Sequence, residues 1–106
     1  MTLDQIWKEL RGRVAKLAEV QTWTVADGYL GDRFIVVGVK DDTVQVAEPG
    51  AQRAEKIPDA DFIAVLSVWD TYANGKAKPG TIEKLTKFPK YVTSILRALE
   101  QPQPRR

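Results

Sequence analysis

From Arg33 to Ile57 the chain reads RFIVVGVKDDTVQVAEPGAQRAEKI, three β-prone runs separated by two turn signals. No other stretch limits the fold as strongly. Phe34 to Val39 is almost entirely β-branched or aromatic, a composition that suits a pleated surface. Alternation sends Ile35, Val37 and Val39 to one face and Phe34 and Val36 to the other. Both sets are apolar, so this strand is expected to be central and covered on both sides. Asp41-Asp42 interrupts the run with residues that tolerate hairpin geometry. Thr43 to Val46 alternates, with Val44 and Val46 inward. Pro49-Gly50 then has the chemistry of a type II turn, proline presetting φ and glycine accepting a positive one. Gln52 to Ile57 is strongly charged, as befits an edge strand guarded against outside pairing.

The flanks read mostly as helix. Thr2 and Gln5 are spaced as a capping box, and Leu3, Ile6, Trp7 and Leu10 follow at helical spacing, with Gly12 placed to end the helix. Residues 13–19 fit either a weak continuation of that helix or a further strand. Val20 to Val25 is β-branched and aromatic and predicts another strand. A loop over Ala26–Asp32, with Gly28 and Gly31 around an exposed Tyr29, would join it to Arg33. Beyond the sheet, Pro58-Asp59-Ala60-Asp61 opens a helix whose aspartates suit its positive end. Phe62, Val65, Leu66, Trp69 and Tyr72 give that helix one apolar stripe, and Asn74-Gly75 ends it. Thr81 caps a short helix carrying Ile82 and Leu85. Phe88 precedes a proline and so leaves helical geometry, and a last helix runs from Lys90 to Glu100.

The expected fold is therefore α+β: a four-stranded antiparallel meander over about residues 20–57, packed by an N-terminal helix and two to three C-terminal helices. If 13–19 is a strand, a small SH3-like barrel is the alternative. The core should include Phe34, Val36, Val37, Val44, Val46, Phe62, Leu66, Trp69, Ile95 and Leu99. Residues 1–100 are expected to form a single domain and 101–106 a disordered basic tail.

Composition removes several chemistries. The 106 residues contain neither cysteine nor histidine, which excludes disulfides, thiolate or imidazole metal sites, and Ser-His-Asp or Cys-His catalysis. No GxGxxG or Walker-type phosphate loop occurs. Asp41-Asp42 is accounted for by its turn, and Asp59 and Asp61 by the start of a helix. No catalytic residue, metal site or cofactor is expected, and the chain is read as a non-enzyme. It has no long apolar run for a membrane helix and no signal-peptide pattern, so a cytoplasmic setting is the expectation.

Charge is distributed unevenly. Residues 1–75 hold eight Lys/Arg and twelve Asp/Glu, a net of −4, whereas residues 76–106 hold eight against two, a net of +6. A basic end of this kind suits an anionic partner. On the last helix, Tyr91, Val92, Ile95, Leu96 and Leu99 make an apolar face. Lys90, Ser94, Arg97 and Gln101 recur on the other side with Thr93 beside them, and Lys84 and Lys87 precede them. Lys, Ser, Thr and Arg are residue types that reach phosphates and base edges. The pair of short helices, 81–85 and 91–100, is similar to a helix-turn-helix unit, although Pro89 stands where that motif usually has a glycine-containing turn. The resemblance implies DNA binding through Lys84, Lys87, Lys90, Thr93, Ser94 and Arg97, with DNA or another polyanion as partner. The alternative is a protein-interaction module or homodimeric adaptor, working through a sheet edge or an aromatic loop.

Overall fold

The computed structural model describes residues 1–16, 19–78 and 80–100. Eight elements follow one another: α1 (Leu3–Ala15), β1 (Glu19–Thr24), β2 (Gly28–Val39), β3 (Thr43–Ala47), β4 (Glu55–Pro58), α2 (Asp59–Leu66), α3 (Trp69–Ala73) and α4 (Pro89–Glu100). The strands form one antiparallel sheet in the order β1-β2-β3-β4, the meander expected from the sequence. β1 and β4 remain its two edges, so the sheet is open and does not close into an SH3-like barrel. The tail at 101–106 lies outside the described residues.

The capping box is formed: Gln5 N donates to Thr2 Oγ1 and Thr2 N to Gln5 Oε1. Ile6, Trp7 and Leu10 are the buried stripe of α1. Gly12 does not end this helix, which continues through Ala15, with Lys16 as its C-cap. A mid-helix glycine costs only about 1 kcal/mol. Val14, packed against the core, and the Arg13 Nη2 bond to Ala98 O (3.3 Å) hold the extra turn. Residues 13–15 are thus helical and Glu19 opens β1, while 17 and 18 lie outside the described residues.

The sheet departs from expectation in three places. First, β2 is covered on one face only. Phe34 and Val36 are fully buried with Val44, Val46 and Ile57, whereas Val37 is 42% exposed and Ile35 half-buried. The helices gather on the first face: Tyr91 of α4 meets Phe34 edge-on at 4.9 Å, and Trp7 of α1 meets Phe62 of α2 at 5.4 Å. Second, Val36 pairs with Val46 but Gly38 with Gln45, which makes Val37 the extra residue of a β-bulge. The bulge reverses the alternation, so Val39 lies opposite Val44 and packs on the core instead of sharing a face with Ile35. Third, the β1–β2 connection is only Val25–Asp27. Gly28, at φ 72°, starts β2, and Tyr29 sits within the strand opposite Trp23 as a half-buried core neighbour. It is not the exposed tip of a loop.

Pro49-Gly50 makes the expected turn, with Gly50 at φ 80° and Ala51 N bonded to Glu48 O. β4 begins only at Glu55, leaving 52–54 outside the strand. The helical stripe after Pro58 is divided between α2 and α3 by a break at Ser67-Val68. Phe62, Val65 and Trp69 are nevertheless buried, and Leu66 and Tyr72 pack beside them. Asp59 and Asp61 make no side-chain cap. Asp59 N donates instead to Asp42 O (2.8 Å), tying α2 to the β2–β3 turn, and Asp61 is used elsewhere. At the end of α3, Gly75 adopts φ 74° and Lys76 N bonds Thr71 O, a left-handed helix stop.

Candidate nucleic-acid interface

α4 begins at Pro89, whose missing N–H is no loss in a first turn. Val92, Ile95 and Leu96 are fully buried and Leu99 partly so, as the apolar spacing requires. Most of the opposite stripe is turned away from solvent, because α4 lies along β1 and packs against it, while the Lys90 side chain stays 41% exposed. Ser94 is completely buried. Its Oγ accepts a 2.9 Å hydrogen bond from Trp23 N and lies 3.5 Å from Trp23 O. The hydroxyl supplies, on the edge strand, the partners that a further strand would have provided. Thr93 is 3% exposed, and its Oγ1 donates back to Pro89 O at 2.7 Å within the helix.

The two cations of the stripe are also engaged. Lys90 Nζ donates to Glu48 Oε1 at 2.5 Å and lies 3.0 Å from Asp32 Oδ2, joining α4 to β2 and to the β3–β4 connection. Arg97 lays its guanidinium 4.9 Å from the centre of the Trp23 ring and keeps Nη1 3.9 Å from Glu100 Oε1. Ser94 and Arg97 therefore fasten α4 to β1, and Lys90 fastens it to β2 and the β3–β4 connection. Gln101 lies outside the described residues.

Lys84 and Lys87 are placed differently. The 81–85 stretch is a turn, not a helix, with Thr86 N and Leu85 N both bonded to Ile82 O. The helix pair of a helix-turn-helix is thus not formed. The segment is well anchored all the same. Ile82 is 1% exposed in the core, and the buried Thr86 donates from Oγ1 to Asp61 Oδ2 (2.7 Å) while accepting from Phe88 N. With Ile82 and Thr86 directed inward, Lys84 and Lys87 are exposed, as are Lys76 and Lys78 earlier in the same connector. Among the described residues none of these four lysines is in an ion pair. Glu83 is the one acidic residue between Lys76 and Phe88. Lys76 and Lys78 were not among the residues singled out from the sequence, because attention to amphipathic helices passes over a Gly/Pro connector. The +6 imbalance already counted them.

Pairing leaves an acid-sensitive mark where Lys90 meets Asp32 and Glu48. The hydrogen bonds from Lys90 hold the Asp32 and Glu48 carboxyls below the ordinary carboxylate range, and the bond to Glu48 chiefly holds Lys90 above the ordinary lysine range. The lowered carboxyls contribute stability that is complete above their unfolded values, near pH 4, and is lost as pH falls through the folded ones. The raised lysine contributes below its unfolded value, near pH 10.4, and loses that contribution as pH rises through the folded one. Lys90→Met is therefore expected to flatten the dependence of the urea midpoint on pH between about pH 5 and 2. Identical acid limbs for the two proteins would count against the pairing.

Among the described residues, no three or more carboxylates converge as metal ligands, and no helix is long and apolar enough to cross a membrane. Comparison with protein-family models, with curated proteins and with solved structures finds no match for this chain.

Proposed function

We propose that the chain is a non-enzymatic binding domain for nucleic acid and that the connector between α3 and α4, not the face of α4, carries the contact. The supporting observation is the set of four exposed lysines, Lys76, Lys78, Lys84 and Lys87, free of ion pairs among the described residues, on a segment that Ile82 and Thr86 fasten to the core. Unpaired cations on an anchored segment offer positive charge without first having to break an internal pair. Phosphates would release counterions on meeting them, which makes salt the natural probe.

Fluorescence anisotropy with labelled oligonucleotides across a salt series tests this reading. Replacing all four lysines by glutamine should remove binding at low salt. Replacing Lys84 and Lys87 alone should roughly halve the log–log salt slope, since each neutralised phosphate contributes about 0.9. Lys8→Gln with Arg11→Gln, exposed on α1, is the matched control and should change little. Absence of salt-sensitive binding at about 100 μM protein, the weak end of non-specific affinities, would remove the proposal. The rival reading, a protein-interaction module, has one observation in its favour. The uncovered sheet face carries the 42%-exposed Val37 beside Ile35. Association through that face would persist at high salt.

A further inference from the structure

A cleft of about 500 Å³ lies between the β1–β2 turn and the connector. Its size is within the roughly 300–1,000 Å³ typical of small-molecule sites. Val25, which is 37% exposed, Ala26, Ala77 and Tyr72 give it carbon-rich walls. The connector wall carries no side chain at Gly75 or Gly80, whose φ values of 74° and 82° favour glycine, so nothing from these positions fills the space. Asp27 and Glu83 supply carboxylates, and Lys78 belongs to the same lining.

We infer that this cleft receives one unpaired base of a single-stranded nucleic acid, with preference for a base bearing an exocyclic amino group. The inference rests on the nucleic-acid reading above and deepens it. Phosphates are disfavoured there, because the two carboxylates of Asp27 and Glu83 outnumber the one ammonium of Lys78. A flat, largely carbon surface with a hydrogen-bonding edge is suited to it. Carboxylates accept from the two N–H groups of the cytosine amino nitrogen, whereas the single N3–H of thymine lies between two carbonyl oxygens that a carboxylate repels. The flanking phosphates then fall towards the lysines of the connector. A base in a duplex has its Watson–Crick edge occupied and stays in its stack, so the cleft selects single strands, the state in which bases are free to be splayed and held.

The test is anisotropy at fixed low salt with labelled oligo(dC), oligo(dT) and a mixed-sequence duplex of equal length. Oligo(dC) should bind about tenfold more tightly than the duplex, the order that one held base supplies, and more tightly than oligo(dT). Ala26→Leu, at an exposed turn position, narrows the cleft without altering charge and should bring oligo(dC) down to the level of the duplex. Asp27→Asn with Glu83→Gln should raise affinity for every polyanion while erasing the difference between oligo(dC) and oligo(dT). Circular dichroism would verify that each variant is folded. Equal binding of single strand and duplex, still abolished by the four lysine replacements, would overturn the inference and leave the connector proposal standing. Loss of all salt-sensitive binding would overturn both.

Discussion

Trp69→Ala is expected to lower the unfolding free energy by about 3–5 kcal/mol, as large-to-small core truncations do. Trp69 is 3% exposed at the meeting point of α3, β1 and α4. Its ring packs against Trp23 at 5.9 Å and Tyr72 at 5.8 Å, and its indole N–H donates to Glu100 Oε2 at 2.5 Å. Truncation removes all three contacts at once. α3 has only five residues, too few for a helix to persist on its own hydrogen bonds, so the vacated space has no rigid element to collapse upon it. Against a total stability of about 5–15 kcal/mol for a domain of this kind, the loss is large. Urea unfolding is the measurement: the midpoint should fall with little change in slope. A near-zero change would mean that the aromatic cluster is not where the stability lies. Trp69→Phe should recover part of the loss by restoring the ring without the N–H.

Ser94→Ala is expected to cost about 1–3 kcal/mol, the penalty of leaving a buried backbone donor unsatisfied. The residue is fully buried, and Trp23 N has its hydroxyl as partner across 2.9 Å. Only one oxygen is removed, so the cavity is negligible and the measured loss reports the hydrogen bond. A structural role predicts that oligonucleotide binding by the folded Ser94→Ala protein stays at the wild-type level. A phosphate contact predicts the reverse, full stability with weakened binding. The same logic bears on Lys90 and Arg97. Reversing both charges would set a third carboxylate beside Asp32 and Glu48 and take the guanidinium off Trp23, and is expected to loosen the attachment of α4 to the sheet.

Local sequence determined a large part of this protein. The capping box at Thr2 and Gln5, the type II turn at Pro49-Gly50, the left-handed stop at Gly75 and the apolar spacing of α4 are short-range chemistry. Each involves residues within a few positions of one another, so each was legible. The order of four antiparallel strands followed, because turns between β-prone runs leave neighbours in sequence adjacent in space. The absence of cysteine and histidine, and the basic excess after residue 75, were equally plain.

Tertiary structure decided how the two sides of each element were used. Period-2 counting placed Val39 with Val37, but a bulge at Val37 reversed the alternation, and a bulge is a property of the pairing between two strands. Apolar residues on both faces of β2 promised two covers, yet the helices occupy one face, so Val37 is left exposed. The polar stripe of α4 had the composition of a solvated surface. It became a seam between elements because β1 lies alongside and needs a partner for Trp23 N, and because Asp32 and Glu48, 58 and 42 positions from Lys90, are brought to the Lys90 ammonium. Helical periodicity separates an apolar face from a polar one. Whether the polar face meets water or another element's unsatisfied groups depends on contacts made across the whole chain.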